Sequence, residues 1–322
     1  MSQIINLDAA TLKKYARISE ADRKLRPASD PEYIKEVMDY YLNGANLSGI
    51  KLPDCLGGDS LFKEKFRLAA GETSILCGIN GSGKSLLANM LILSASHQGY
   101  RCLIISPEMS PRASISRMIR QSSLQASPSL DAALDWAKWS DERIWLYDQY
   151  GSVNPGTIYA VMQYAVHEKL IDFVVIDSLM TVGGVASDDW NGQKDFMCGI
   201  ANAARGLNIH VLLVTHARKS GSDTDRLTRW SIAGSADLSN RADNIFLLGR
   251  TFEQDPHQPD AYLYLCKARN FDGSEMELDL WLDHASMNYH RDSELPSQIG
   301  MGDNVKPIGG VVGRLHDAGL KA

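Results

Sequence analysis

The stretch Cys77-Gly78-Ile79-Asn80-Gly81-Ser82-Gly83-Lys84-Ser85 concentrates residue types that bind phosphate. From Gly78 to Ser85 it fits the pattern G-x-x-x-x-G-K-[ST]. Glycines let the backbone curl until several N–H groups point inward at phosphate oxygens. A helix starting near Gly83 adds its positive dipole end. In such a loop Gly78, Asn80, Gly81, Ser82 and Gly83 shape the cradle. Lys84 reaches the β- and γ-phosphates and the Ser85 hydroxyl ligates Mg²⁺. The alternative is an ordinary Gly-rich turn. Against it stand the apolar run Ser74-Ile75-Leu76-Cys77 before the loop and the helical pattern Leu86 to Leu93 after it, because strand, turn and helix in that order are the context a P-loop requires. ATP and Mg²⁺ are the cofactors this implies.

Nucleotide hydrolysis needs more than a cradle. Asp177 ends the apolar run Phe173-Val174-Val175-Ile176, the Walker B position, where a carboxylate supports Mg²⁺; the competing reading is a helix N-cap. Glu108 follows another apolar run, in Ile105-Ser106-Pro107-Glu108-Met109-Ser110, and is a candidate general base for the attacking water. Glu is also common in a first helical turn. His216 closes the run Val211 to Thr215 and is placed to sense a γ-phosphate, or else is satisfied by local backbone. Lys267 and Arg269 alternate on one side of a late strand. They form either a solvated edge or a pair reaching a neighbouring subunit's nucleotide.

The elements that must position these groups read as an α/β fold. Strands are expected at about 101–106, 143–147, 171–177 and 211–216, with helices at about 111–125, 129–138, 155–169 and one including 195–204. Buried apolar strands alternating with helices indicate a mainly parallel central sheet with helices on both faces. Strands near 243–249, 261–268 and 276–282 have no long helix between them and suggest antiparallel C-terminal strands. Before the nucleotide domain, expected at 60–292, lies a segment, 1–59, holding a helix at about 31–42. Its stripe of Tyr33, Ile34, Val37, Met38, Tyr41 and Leu42 packs either on its own domain or on a neighbouring subunit. Residues 293–322 read as a flexible tail.

Composition narrows the classes. No apolar run in the 322 residues approaches the length that spans a membrane, and the N-terminus has no signal-peptide pattern. The five cysteines form no C-x-x-C pair, which points to a reducing, cytoplasmic compartment. A net charge of −6 excludes a protein coated in nucleic acid but permits a locally basic pore or groove.

Taken together, the motifs resemble the hexameric RecA-type replicative helicases: the DnaB type, the phage primase–helicases and the mitochondrial Twinkle helicase. The matching stretches are Gly78 to Ser85, Ser106-Pro107-Glu108-Met109-Ser110, Ile176-Asp177-Ser178 and Val214 to Lys219. Ala233 to Asp237, Ala242-Asp243-Asn244 and Lys267-Ala268-Arg269-Asn270 complete the set, which covers about residues 60–290. The resemblance implies a RecA-like P-loop NTPase core and an ATP-dependent DNA helicase. It further implies a ring, a homo-hexamer translocating 5′→3′ on single-stranded DNA, with a separate primase, polymerase or loader as partner. Glu108 becomes the catalytic base, Asp177 and Ser85 the metal residues, and His216 the γ-phosphate sensor. Lys267 and Arg269 complete the adjacent subunit's site in trans. Two loops, about 181–192 and 217–235, line the channel. The second carries Arg218, Lys219, Arg226 and Arg229, cations suited to DNA phosphates. The helix at 31–42 resembles the family's linker helix. No primase or long N-terminal helical domain precedes the motor in the sequence, so partner recruitment by such a domain is not carried over. The implied setting is the cytoplasm of a bacterial or phage-infected cell. Two rivals share the sheet and the loop: a RecA-like recombinase or mediator, and a nucleotide-gated loader or KaiC-like regulator.

Overall fold

The structure, a computed structural model, describes residues 49–56 and 66–291 apart from 150, 184, 186–188, 219–225, 235, 252–257 and 271–275, with a few single positions nearer the N-terminus. Its first half alternates strand and helix: β1 (Thr73–Gly78), α1 (Lys84–His97), β2 (Cys102–Ile105), α2 (Pro111–Ser123), α3 (Leu130–Ser140), β3 (Ile144–Tyr147), α4 (Pro155–Lys169) and β4 (Phe173–Asp177). Then come α5 (Trp190–Leu207), β5 (His210–His216), α6 (Ala236–Arg241), β6 (Asn244–Arg250), β7 (Ala261–Ala268), β8 (Met276–Asp283) and β9 (Asn288–His290). The nine strands form one sheet in the order β3-β2-β4-β5-β1-β6-β7-β8-β9.

β1 to β6 run parallel. Residues of β1, β2 and β4 are buried throughout, as a parallel sheet covered on both faces requires. Successive side chains alternate faces. Leu76, Ile104, Val175 and Val214 therefore join a core with α1, while Ile75, Leu103, Val174 and Leu213 join a second core with α4 and α5. A one-residue slip of any of these strands would exchange the two sets.

The three late strands form the expected antiparallel extension: β6 pairs antiparallel with β7, β7 with β8 and β8 with β9, and β6 joins them to the parallel sheet by pairing parallel with β1. The connection from β5 crosses β1, and it does so with one short helix, α6, rather than a long one. A short crossover leaves no long periodic signature in the sequence. β7 shows the one-sided burial of a strand with a wetter face.

The far end of the sheet folds back against the helices beside the phosphate loop. Arg120 on α2 donates to the carbonyls of His284 and Ala285. The Gln121 side chain donates to the carbonyls of Leu86 and Met287, and Asn288 donates back to Gln121 O. β9 thereby lies on α1 and α2.

Of the expected helix at 31–42, residues 31, 34, 35 and 38 are described; they are helical, with Ile34 and Met38 exposed. Its other positions, and the whole expected tail at 293–322, lie outside the described residues. None of the described helices is long and apolar enough to cross a membrane.

Candidate active site

Asp177, Glu108 and His216 come off β4, β2 and β5, three neighbouring strands, with the loop after β1 beside them. All four strand ends are C-terminal ends, where an open parallel sheet binds its ligand. Local chemistry shapes the loop. A Cβ on Gly78 would lie 2.5 Å from Leu248 O and 2.6 Å from Ser82 Oγ, so the backbone turns there only as glycine. Gly83, at φ 87°, is the left-handed N-cap of α1.

The cap itself points to the ligand. Ser110, Ser129, Asn154 and Asp189 each cap a helix by accepting from a backbone N–H. α1 has no side-chain cap, so its first N–H groups remain free for an anion. Ser82 Oγ is buried without a hydrogen-bond partner, and Lys84 is buried with its ammonium donating to Gly78 O at 2.9 Å and Ile79 O at 2.7 Å. Burial holds the Lys84 pKa below its ordinary value. Phosphate oxygens are better acceptors for that ammonium than two carbonyls. Asn80 and Gly81 are exposed at the rim of the loop.

The Ser85 hydroxyl donates to Asp177 Oδ2 at 2.7 Å. Burial raises the Asp177 pKa, and the Ser85 bond opposes the shift. One hydroxyl and one buried carboxylate are the partial ligand set that suits Mg²⁺, which keeps several waters and borrows oxygens from substrate phosphates.

Glu108 stands exposed across the site, accepting from the Ser178 hydroxyl at 2.6 Å. The same hydroxyl lies 3.4 Å from His216 Nε2, and that nitrogen lies 3.9 Å from Glu108 Oε1. The expected base and the expected sensor are thus joined through Ser178. Burial, and next the charge of Lys84, lower the His216 pKa, so its neutral form is favoured.

The remaining expected residues sit elsewhere. The Lys267 ammonium caps the C-terminal end of α6, donating to the carbonyls of Ser239 at 2.8 Å, Asn240 at 3.0 Å and Ala242 at 2.7 Å. Arg269 donates to Asn240 O and pairs with Asp243 at 3.4 Å. Both cations are held on one short helix end, where the dipole is negative. Arg218 donates to Ile232 O at 3.0 Å and Gly234 O at 2.6 Å. Arg226 pairs with Glu277 and lies over the Tyr262 ring. The Arg229 guanidinium lies over the Trp230 ring, and Lys219 is outside the described residues.

Sequence reasoning assigns no role to Ser178 or Tyr289. Ser178 directly follows Asp177, so its position is a usable signal. Tyr289 gives none: it arrives from β9 to donate its hydroxyl to Ser82 O at 2.8 Å. A Cβ on Gly83 would lie 2.1 Å from that hydroxyl oxygen, so Gly83 is needed for the approach as well as for its φ.

A family model described as an AAA domain, AAA_25, matches residues 61–222, half of the chain. No curated protein matches it. Among solved structures, one described as an ATPase domain aligns with a TM-score of 0.68 at 17% identity, covering 83% of this chain and 99% of that one. A DnaB-like replicative helicase, determined with attention to its interactions with primase, aligns with a TM-score of 0.66 at 16% identity, covering 87% of this chain and 71% of that one. At such identities the likeness is one of fold: a parallel RecA-like core with antiparallel C-terminal strands.

Proposed function

This chain belongs to the AAA domain family, and from that premise we propose that it is an ATP-dependent DNA helicase that forms a ring, a hexamer, and moves 5′→3′ on single-stranded DNA. The observation that carries the reading is the convergence of Lys84, Ser85, Asp177, Glu108 and His216 at the strand ends beside an uncapped helix N-terminus. The fold shared with a solved ATPase domain and a DnaB-like helicase supports it.

In this reading the loop amides and Lys84 hold the β- and γ-phosphates. Ser85 and Asp177 would hold Mg²⁺, which would supply positive charge against the negative charge developing on the phosphates. Glu108, kept in place by Ser178, accepts the proton of the attacking water. Neutral His216 donates a hydrogen bond to the γ-phosphate and registers its departure. It relays that change along the backbone, since His216 O accepts from Ala233 N and Arg218 N donates to Ser231 O. Those bonds tie the sensor to the segment 226–234, assigned to the channel. Lys267 and Arg269 leave their own subunit's α6 to complete a neighbour's site. A separate primase, polymerase or loader would be the partner.

Strand displacement from forked duplexes with a 5′ or a 3′ tail tests this, using Mg·ATP and substoichiometric protein. Multiple-turnover release that needs the 5′ tail and is lost in Lys84→Ala is expected. Hydrolysis stimulated by single strands without displacement, together with filaments under negative stain, would move the assignment to a recombinase. Nucleotide binding with neither activity would indicate a regulator. Arg269→Ala should abolish hydrolysis while sparing nucleotide binding; retained turnover refutes the in-trans role.

A further inference from the structure

We propose that Trp230, backed by Arg229, is a stacking platform for the bases of single-stranded DNA. The proposal rests on the preceding reading, that the chain binds single strands, and names a contact of different chemistry from the phosphate-binding cations.

A single exposed apolar side chain is ordinary on a protein surface; the cation beside Trp230 and the built turn beneath it set this one apart. Trp230 is 64% exposed. Two of the other exposed large hydrophobics, Met180 and Trp190, belong to the connection after β4, the strand next to β5. The turn carrying Trp230 is firmly built. Leu227 and Ile232 are buried on either side of it. Thr228 and Ser231 form a reciprocal capping box around the 3₁₀ turn Arg229–Ser231. Leu227 N donates to the Tyr262 hydroxyl at 2.9 Å, and the Arg218 guanidinium clamps Ile232 O and Gly234 O. A turn held in this way presents the indole from a fixed backbone, which lowers the ordering cost when a ligand stacks on it.

Charge decides which ligand fits. The Arg229 guanidinium lies 4.6 Å from the centroid of the Trp230 ring. A cation on one face of an aromatic ring suits a nucleotide: the ring takes the base and the guanidinium takes its phosphate. The other described cations of this segment are committed within the chain, Arg218 to carbonyls and Arg226 to Glu277. Base stacking is tolerant of sequence, because every base has a π face.

The test measures binding of the full chain, with Mg²⁺ and a non-hydrolysable ATP analogue, to labelled oligothymidylate and to an abasic sugar-phosphate strand of equal length. The wild type should prefer the base-bearing strand. Trp230→Ala should weaken oligothymidylate roughly tenfold to a hundredfold, leave abasic binding and the salt slope unchanged, and keep the wild-type melting temperature. Trp230→Phe should restore most of the loss. Arg229→Gln should weaken both strands and flatten the salt dependence. Equal wild-type affinity for the two strands overturns the proposal. So does equal weakening of both by Trp230→Ala, or a change in assembly state on sedimentation, which would place Trp230 between copies of the chain. Failure of the wild type to bind either strand overturns the parent reading itself.

Discussion

β5 carries a histidine at each end, and the two have opposite circumstances. His210 is fully buried with both ring nitrogens engaged, Nδ1 at 2.7 Å from Ala69 O and Nε2 at 2.9 Å from Ser74 Oγ. It ends a directed chain. Asn270 and Asn244 both donate to Glu72, Asn244 also donates to Ser74 Oγ, Ser74 donates to His210, and His210 donates to Ala69 O. At the other end His216 is partly exposed. Its Nε2 has only the long contacts to Ser178 and Glu108 at the site, and its Nδ1 is buried without a hydrogen-bond partner. Serine, carboxylate and imidazole occur in both clusters. The His210 cluster is complete within the chain, whereas His216 keeps a buried nitrogen without a partner, so the two ends of one strand differ in hydrogen bonding rather than in residue type.

The harshest challenge to that distinction is Glu108→Gln. ATP turnover should fall by about 10²–10⁴ while the melting temperature stays put, because Glu108 is exposed and holds little of the fold together. A stability loss as large as the kinetic one would erase the contrast. His210→Phe is the converse, removing a donor and an acceptor from a sealed network. Chemical denaturation should show a loss of about 2–4 kcal/mol, with the nucleotide KM of the folded fraction unchanged.

Acid sharpens the same point. Burial pushes the His210 pKa down to about 4, from an ordinary value of 6.5. Between those values the unfolded chain binds a proton that the folded chain refuses. His210 therefore stabilises fully above pH 6.5, and the contribution is lost as pH falls towards 4. Denaturation curves across that window should lose up to ~3 kcal/mol, and His210→Gln should flatten the dependence. The smallest expected effect belongs to Tyr289→Phe, which deletes one hydrogen bond at the phosphate loop. Nucleotide affinity should drop by ~1 kcal/mol, read by calorimetric titration, with kcat preserved.

Legibility in the sequence follows the range of the interactions. The phosphate loop and Asp177 can be read because strand, turn and carboxylate are neighbours along the chain. Glu108 and His216 can be read because each closes an apolar run, and strand ends converge in an open parallel sheet. α5 reads as a segment including 195–204 and spans Trp190–Leu207; its first turn follows a Gly- and Asp-rich stretch with no apolar period. β6 reads like its antiparallel successors because α6 is too short to announce a crossover. Tyr289 is invisible because its partner lies 207 residues away. The internal partners of Arg218 and Arg226 are equally so: a cation in a loop looks the same in sequence whether it faces a carbonyl, a carboxylate or solvent.

The Tyr289–Ser82 bond also bears on how the protein is made. Chains are synthesised from the N-terminus at about 5–20 residues per second. The ribosome produces Ser82 207 residues before the tyrosine that grips its carbonyl. A nascent chain therefore spends roughly 10–40 s with its phosphate loop emerged and that peptide unheld. The latch closes only once β9 has left the exit tunnel and settled on α1. This contact is thus acquired at the end of synthesis, and a chain stopped short of residue 289 carries the whole motif without it.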